Sequence, residues 1–201
     1  MITLIDYGMG NLGSIQNMLR YIGVASKTTS NLDEIKHADK IILPGVGAFD
    51  KAMEHINSSG LREVLEQKAC VDKIPVLGIC LGMQLLTRGS EEGVLPGLGW
   101  IAADTRRFPN LPTLKVPHMG WNLVYPGTAT RLTRDFEEET RFYFVHSYYV
   151  TVDNPNNSIL KTQYGIEYDS AIQNENIYGV QFHPEKSHRF GMRLLKNFAE
   201  L

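Results

Sequence analysis

Cysteine is scarce in this chain: Cys70 and Cys80 are the only two, and they lie in unrelated contexts. A small secreted domain stabilised by disulfides carries more, so the expected setting is a reducing cytoplasm. Basic residues are not in excess either. The formal net charge is -2, and Lys and Arg are scattered, with Arg106-Arg107 read as a solvated loop. That balance excludes a polyanion-binding surface, so no nucleic-acid partner is expected. Long apolar runs are missing as well, none approaching the ~20 residues that span a membrane. The opening Met1-Ile2-Thr3-Leu4-Ile5-Asp6 lacks the basic stretch and apolar segment of a signal peptide. Repeats, linkers and low-complexity segments are also absent. What remains is a chain of 201 residues, 43% hydrophobic and 21% charged, which fits one domain over 1–201 with an ordinary core.

In the first half, short apolar runs alternate with amphipathic stretches. Strands are expected at Ile2 to Ile5, at Lys40 to Leu43 (cut off by Pro44-Gly45) and at Pro75 to Ile79. Helices are expected at Ser14 to Ile22, over Ala52 to Cys70 with a break near Ser58-Gly60, and after Cys80. Buried strands alternating with helices imply an α/β fold with a mainly parallel sheet covered on both faces. The second half reads differently. Arg141 to Val150, Ser158 to Thr162, Ser170 to Gln173 and Ile177 to Phe182 are short β-like segments, which suggests an added antiparallel portion. Phe190 to Leu201 closes the chain as a helix with Met192, Leu195 and Phe198 inward.

Gly8-Met9-Gly10-Asn11-Leu12-Gly13 matches G-x-G-x-x-G between a strand and a helix, the pattern of a dinucleotide-binding turn. The expected acidic partner is missing at the end of a second strand, because Asp33 lies in what reads as a helix start. Ser26 to Ser30 also reads as too polar for a buried parallel strand. Tight-turn glycines are the preferred reading, with a nucleotide-binding module as the alternative.

Val76-Leu77-Gly78-Ile79-Cys80-Leu81-Gly82 is an apolar strand ending in G-x-C-x-G. Small residues two before and two after permit a sharp strand-to-helix turn that lifts the cysteine clear of the sheet. A helix N-terminus there favours the thiolate, and the amide of Leu81 faces the place of a forming oxyanion. A buried structural cysteine is the competing reading, and for Cys70 the structural reading is preferred. A thiol nucleophile needs a base and an orienting group. Gly179-Val180-Gln181-Phe182-His183-Pro184-Glu185 offers both at one strand end. The strand ending in Pro44-Gly45-Val46-Gly47 supplies a glycine loop on the same sheet edge, a source of a second oxyanion N–H. His118, His146 and His183 show no metal-ligand spacing.

Together these segments resemble the triad-type, or class I, glutamine amidotransferases. Four further stretches narrow the resemblance to the glutaminase subunits of imidazole glycerol phosphate synthases: Asp6 to Asn11, Pro117-His118-Met119-Gly120-Trp121-Asn122, Tyr143 to Tyr148, and Lys186-Ser187. The resemblance implies a three-layer, flavodoxin-like sandwich that hydrolyses L-glutamine to glutamate and ammonia without metal or organic cofactor. It implies Cys80, His183 and Glu185 as the catalytic triad, with Gly45, Val46, Gly47 and Leu81 around the oxyanion. Gln84, Ser147 and Tyr148 match glutamine-binding positions. A (β/α)8-barrel cyclase subunit is the implied heterodimer partner, faced by Asn11, His118, Met119, Trp121, Asn122 and Lys186. Gly13 departs from the histidine-pathway pattern, where many members carry a basic residue. It resembles paralogues that supply ammonia for amidation of a surface sugar, so two acceptor pathways are implied. A cysteine hydrolase or peptidase, and a non-catalytic scaffold, remain as readings of the residues alone.

Overall fold

A computed structural model describes residues 1–201. The first half builds β1 (Ile2–Ile5), α1 (Leu12–Tyr21), β2 (Ser26–Thr29), α2 (Leu32–Lys36), β3 (Lys40–Gly45), α3 (Phe49–Ser58), α4 (Leu61–Glu66), β4 (Val76–Cys80) and α5 (Leu81–Leu85). The second half adds β5 (Ala103–Arg107), β6 (His118–Leu123), β7 (Tyr125–Pro126), β8 (Arg141–His146), β9 (Tyr148–Val152), β10 (Ser158–Tyr164), β11 (Ile166–Asn174), β12 (Ile177–Val180) and α6 (His188–Ala199). Strands β2, β1, β3, β4 and β12 lie side by side and parallel. Beyond β12 the ten-stranded sheet turns antiparallel through β11, β10 and β7, with β9 and β5 branching off; β6 and β8 form a separate pair. The sandwich has three layers. One face of the sheet packs on Phe49, Met53, Ile56, Leu65 and Leu85, the other on Ile15, Leu19, Leu194 and Phe198. No helix is long and apolar enough to cross a membrane.

Several boundaries differ from the sequence reading. Strand β3 does not stop before Pro44-Gly45 but runs through both, because Pro44 and Gly45 pair with Ile79 and Cys80 of parallel β4. Ser26–Thr29 is a parallel strand after all. It lies at the sheet edge with every residue only half-buried, so it needs no apolar face on both sides. Asp33 does sit in a helix start, where Asn31 accepts hydrogen bonds from its N–H and that of Glu34. The break at Ser58-Gly60 is real, with Gly60 at φ 76°, and the second piece ends in a π-helical turn over Gln67–Val71. Cys70 is exposed on that turn, so no packing role holds it. Arg106 and Arg107 are exposed as expected but close β5 rather than a loop. In α6, Met192 is half-buried while Leu194 and Asn197 point inward with Leu195 and Phe198.

Candidate active site

Cys80 is the last residue of β4, and α5 begins at the next residue. The turn needs a backbone that few side chains tolerate: Cys80 has φ 55° and ψ -110°. The flanking glycines are sterically obligatory. A Cβ on Gly82 would overlap the carbonyl of Leu43, and one on Gly78 would stand 2.6 Å from the carbonyl carbon of Gly82. Strain and close approach thus deliver one thiol, 7% exposed, to the wall of a cavity of about 350 Å³. Helix α5 spans only five residues, so its dipole contributes less than a long helix would.

His183 follows β12, the parallel neighbour of β4. Its turn is held from three sides. Its N–H donates to Tyr143 O at 2.9 Å, Ser187 Oγ donates to its carbonyl at 2.6 Å, and Gly191 of α6 lets that helix press on Pro184. Pro184 to Lys186 forms a single 3₁₀ turn, which swings Glu185 back so that its Oε1 lies 2.8 Å from His183 Nδ1. Both side chains are buried, at 3% and 1% exposure. Burial by itself lowers the His183 pKa. The neighbouring Cys80 sulfur and the Glu185 carboxylate outweigh it and raise the value to about 9. His183 Nε2 has no closed hydrogen bond and faces the cavity that Cys80 also lines. At neutral pH this favours an imidazolium beside the Cys80 sulfur, a pairing of nucleophile and proton donor that can attack an acyl carbon and return a proton to the leaving group.

The cavity brings together Val46, Gly47, Cys80, Leu81, Gln84, Ser147, Tyr148, His183 and Lys186 from the expected set. Gly45 lies behind its wall, where a Cβ would come within 2.8 Å of both Leu81 Cβ and the Tyr7 hydroxyl. Gln84 is buried, and its Nε2 donates to Gln181 Oε1 at 3.1 Å and, more weakly, to Tyr148 O at 3.4 Å. Gln181 Nε2 in turn points at Cys80 Sγ, 3.7 Å away.

Four residues here were not anticipated. Glu92 lines the cavity and accepts the N–H of Phe49 at the start of α3; its burial raises its pKa. Gln181 touches the nucleophile, His146 lines the wall, and Tyr7 donates to Pro44 O at 2.6 Å, anchoring the glycine loop. Gln181 lies two residues before His183, and Tyr7 and His146 lie in the stretches that carry the family resemblance; Glu92 has no such marker.

The six residues expected to face a partner separate. Met119 and Trp121 are 61% and 44% exposed, and Asn11 and Lys186 are also exposed. His118 is a correction: it is buried, because successive residues of β6 alternate between faces. Asn122 turns to the same inner side and donates to Gln163 O at 3.0 Å. The Gly8 to Gly13 loop packs against the site instead of standing apart. A Cβ on Gly10 would sit 3.1 Å from Pro44 Cβ, and Asn11 caps α1 through a weak 3.4 Å bond from Ser14 N. Around Gly13 there is open space, so packing does not demand glycine there.

The profile of the glutamine amidotransferase class-I family matches residues 3–201. The chain is 50% identical over 204 residues to the imidazole glycerol phosphate synthase subunit HisH of Bdellovibrio bacteriovorus, covering all of both chains. It is 52% identical over 200 residues to the subunit HisH 2 of that synthase from Methanococcus maripaludis, covering 100% of this chain and 99% of the relative. Among solved structures, a putative GMP synthase component from Thermoplasma acidophilum has a TM-score of 0.73 at 20% identity, covering 99% of this chain and 92% of the other. PurLQS from Thermotoga maritima gives 0.67 at 17%, covering 99% and 97%. At those identities the structures speak for the fold alone.

Proposed function

The chain belongs to the class-I glutamine amidotransferases, and from that premise we propose that it is the glutaminase subunit of an imidazole glycerol phosphate synthase. The single observation that carries the chemistry is the convergence of Cys80 and His183, from two adjacent parallel strands, on one cavity, with Glu185 held against His183 from behind. One domain over 1–201 holds the whole site. Full-length relatives named as HisH subunits carry the pathway, and favour the histidine route over amidation of a surface sugar.

In this reading the side-chain carboxamide of L-glutamine enters beside Cys80. Its α-ammonium meets Glu92, the one carboxylate lining the cavity, while Gln84, Ser147 and Tyr148 fix the rest of the molecule. The Cys80 thiolate attacks the carboxamide carbon. The negative charge moves to oxygen, where the N–H of Leu81 and one from the Gly45-Val46-Gly47 loop receive it. His183 protonates the departing nitrogen through Nε2, the C–N bond breaks, and ammonia leaves. A water molecule then gives its proton to His183 and attacks the γ-glutamyl thioester, releasing glutamate and the thiolate. Glu185 keeps the imidazole oriented throughout and stabilises its charged form whenever it holds both protons. Ammonia passes to a cyclase subunit with a (β/α)8-barrel fold. That subunit docks on the side presenting the exposed residues Asn11, Met119, Trp121 and Lys186, of which Lys186 lines the cavity.

The test is Cys80→Ala in the assembled synthase. Glutamine-dependent synthesis is expected to vanish while synthesis from added ammonium salt persists. Loss of both, or of neither, refutes the assignment.

A further inference from the structure

His118 and His146 face each other across the β6–β8 pair and are both buried. His118 is sandwiched between Phe144 and Tyr164, with ring centroids at 4.7 and 3.8 Å and interplanar angles of 17°. Phe108 and Tyr168 close the rest of the shell. No carboxylate touches either ring, and burial holds their pKa values down to about 4 and about 3. Both are therefore neutral near pH 7, and each carries one ring proton whose position the partners decide.

His146 Nδ1 lies 2.6 Å from the carbonyl of Tyr148. A carbonyl only accepts, so that nitrogen carries the proton and His146 Nε2 is an acceptor. Asn122 Oδ1 accepts the Leu123 N–H at 2.8 Å, which orients its amide and makes Nδ2 the donor. Nδ2 donates to Gln163 O at 3.0 Å and to His118 Nε2 at 3.3 Å, so the His118 proton sits on Nδ1. His118 Nδ1 and His146 Nε2 each lie 3.1 Å from the Tyr168 hydroxyl and 3.2 Å from one another. All donors then point one way, from Asn122 through His118 and Tyr168 to His146 and the Tyr148 carbonyl.

That carbonyl is also approached by Gln84 Nε2, which donates to Gln181, whose own amide points at Cys80. We infer that Asn122, His118, Tyr168 and His146 form a one-directional hydrogen-bond chain that positions the Ser147-Tyr148 wall of the glutamine site from the inner face of β6. They are positioning residues: among the four only His146 reaches the cavity. The chain begins on the strand whose opposite face exposes Met119 and Trp121, so displacement of that strand is transmitted to the substrate wall. The inference rests on the glutaminase reading for its kinetic consequence but not for its proton positions.

Nitrogen–proton NMR of the full chain tests the proton positions directly. Both imidazoles are expected as neutral Nδ1–H tautomers, the minor form of free histidine. An Nε2–H tautomer or an imidazolium at either residue near pH 7 overturns the chain, whether or not the protein hydrolyses glutamine. In the assembled synthase, His146→Leu is expected to raise KM for glutamine roughly tenfold with a smaller change in kcat, since the Tyr148 carbonyl loses the shorter of its two donors. His146→Asn places an amide N–H where Nδ1–H stood and is expected to restore KM. An unchanged KM in His146→Leu, or equal defects in both variants, overturns the positioning role. Absence of glutamine hydrolysis in the unaltered synthase would instead refute the proposed function.

Discussion

Glu185→Gln separates the geometry of the triad from its charge. The amide oxygen can still accept the His183 Nδ1–H across the 2.8 Å contact, so orientation is kept while the negative charge is lost. In the native protein His183 is buried, which opposes protonation, yet Cys80 and Glu185 bring its pKa from 6.5 to about 9. At ~1.4 kcal/mol per unit that rise is worth about 3 kcal/mol in favour of the imidazolium. With the carboxylate's charge removed, burial is opposed only by the Cys80 sulfur and the retained hydrogen bond at Nδ1. The His183 pKa is expected to fall by about 1–3 units, the range for losing an adjacent opposite charge. Less imidazolium then stands beside Cys80, and kcat for glutamine is expected to drop on the order of a hundredfold or more. The stability signature has a definite sign. A group whose pKa is raised on folding contributes its stabilisation fully below the unfolded value of 6.5 and loses it as pH rises through about 9. Urea unfolding of the native chain should therefore weaken by up to about 3 kcal/mol across that window, and the variant should show a shallower loss. NMR titration of the His183 ring checks the pKa, and unfolding at a series of pH values checks the linkage. A His183 pKa unmoved by Glu185→Gln would refute the electrostatic argument, even if activity fell.

Two further perturbations probe the framework around the site. Gly82→Ala pushes a methyl into the Leu43 carbonyl at the crossing of β3 and α5. Overpacking of this kind costs ~1–3 kcal/mol, which corresponds to a melting temperature lower by roughly 2–12 °C in calorimetry; an unchanged melt would mean the elbow has room to relax. Tyr7→Phe removes the 2.6 Å bond to Pro44 O and leaves that carbonyl without its donor, a loss of ~1–3 kcal/mol with weakened glutamine turnover. Equal stability and turnover in the two proteins would show that the hydroxyl does not anchor the loop.

Local pattern determined much of this protein. The alternation of apolar runs and helices implies the parallel sheet, and G-x-C-x-G at a strand end implies the elbow because only small neighbours permit that turn. His183 and Glu185 were legible because one proline confines the turn between them. The polar edge strand β2 is not legible as a strand, since an edge position relaxes the demand for apolar residues and no local signal marks an edge. The burial of His118 is not legible locally, because alternation turns it inward only once residues 118–123 pair as a strand with β8. Glu92, Tyr7 and Gln181 owe their places to tertiary structure. Strand order and loop packing bring residues about 40 to 100 positions apart into contact, and nothing local in a chain encodes which strand lies beside which. The sequence by itself determined which groups could react. The fold decided which of them share a cavity, because burial, strain and charge are set only when the strands meet.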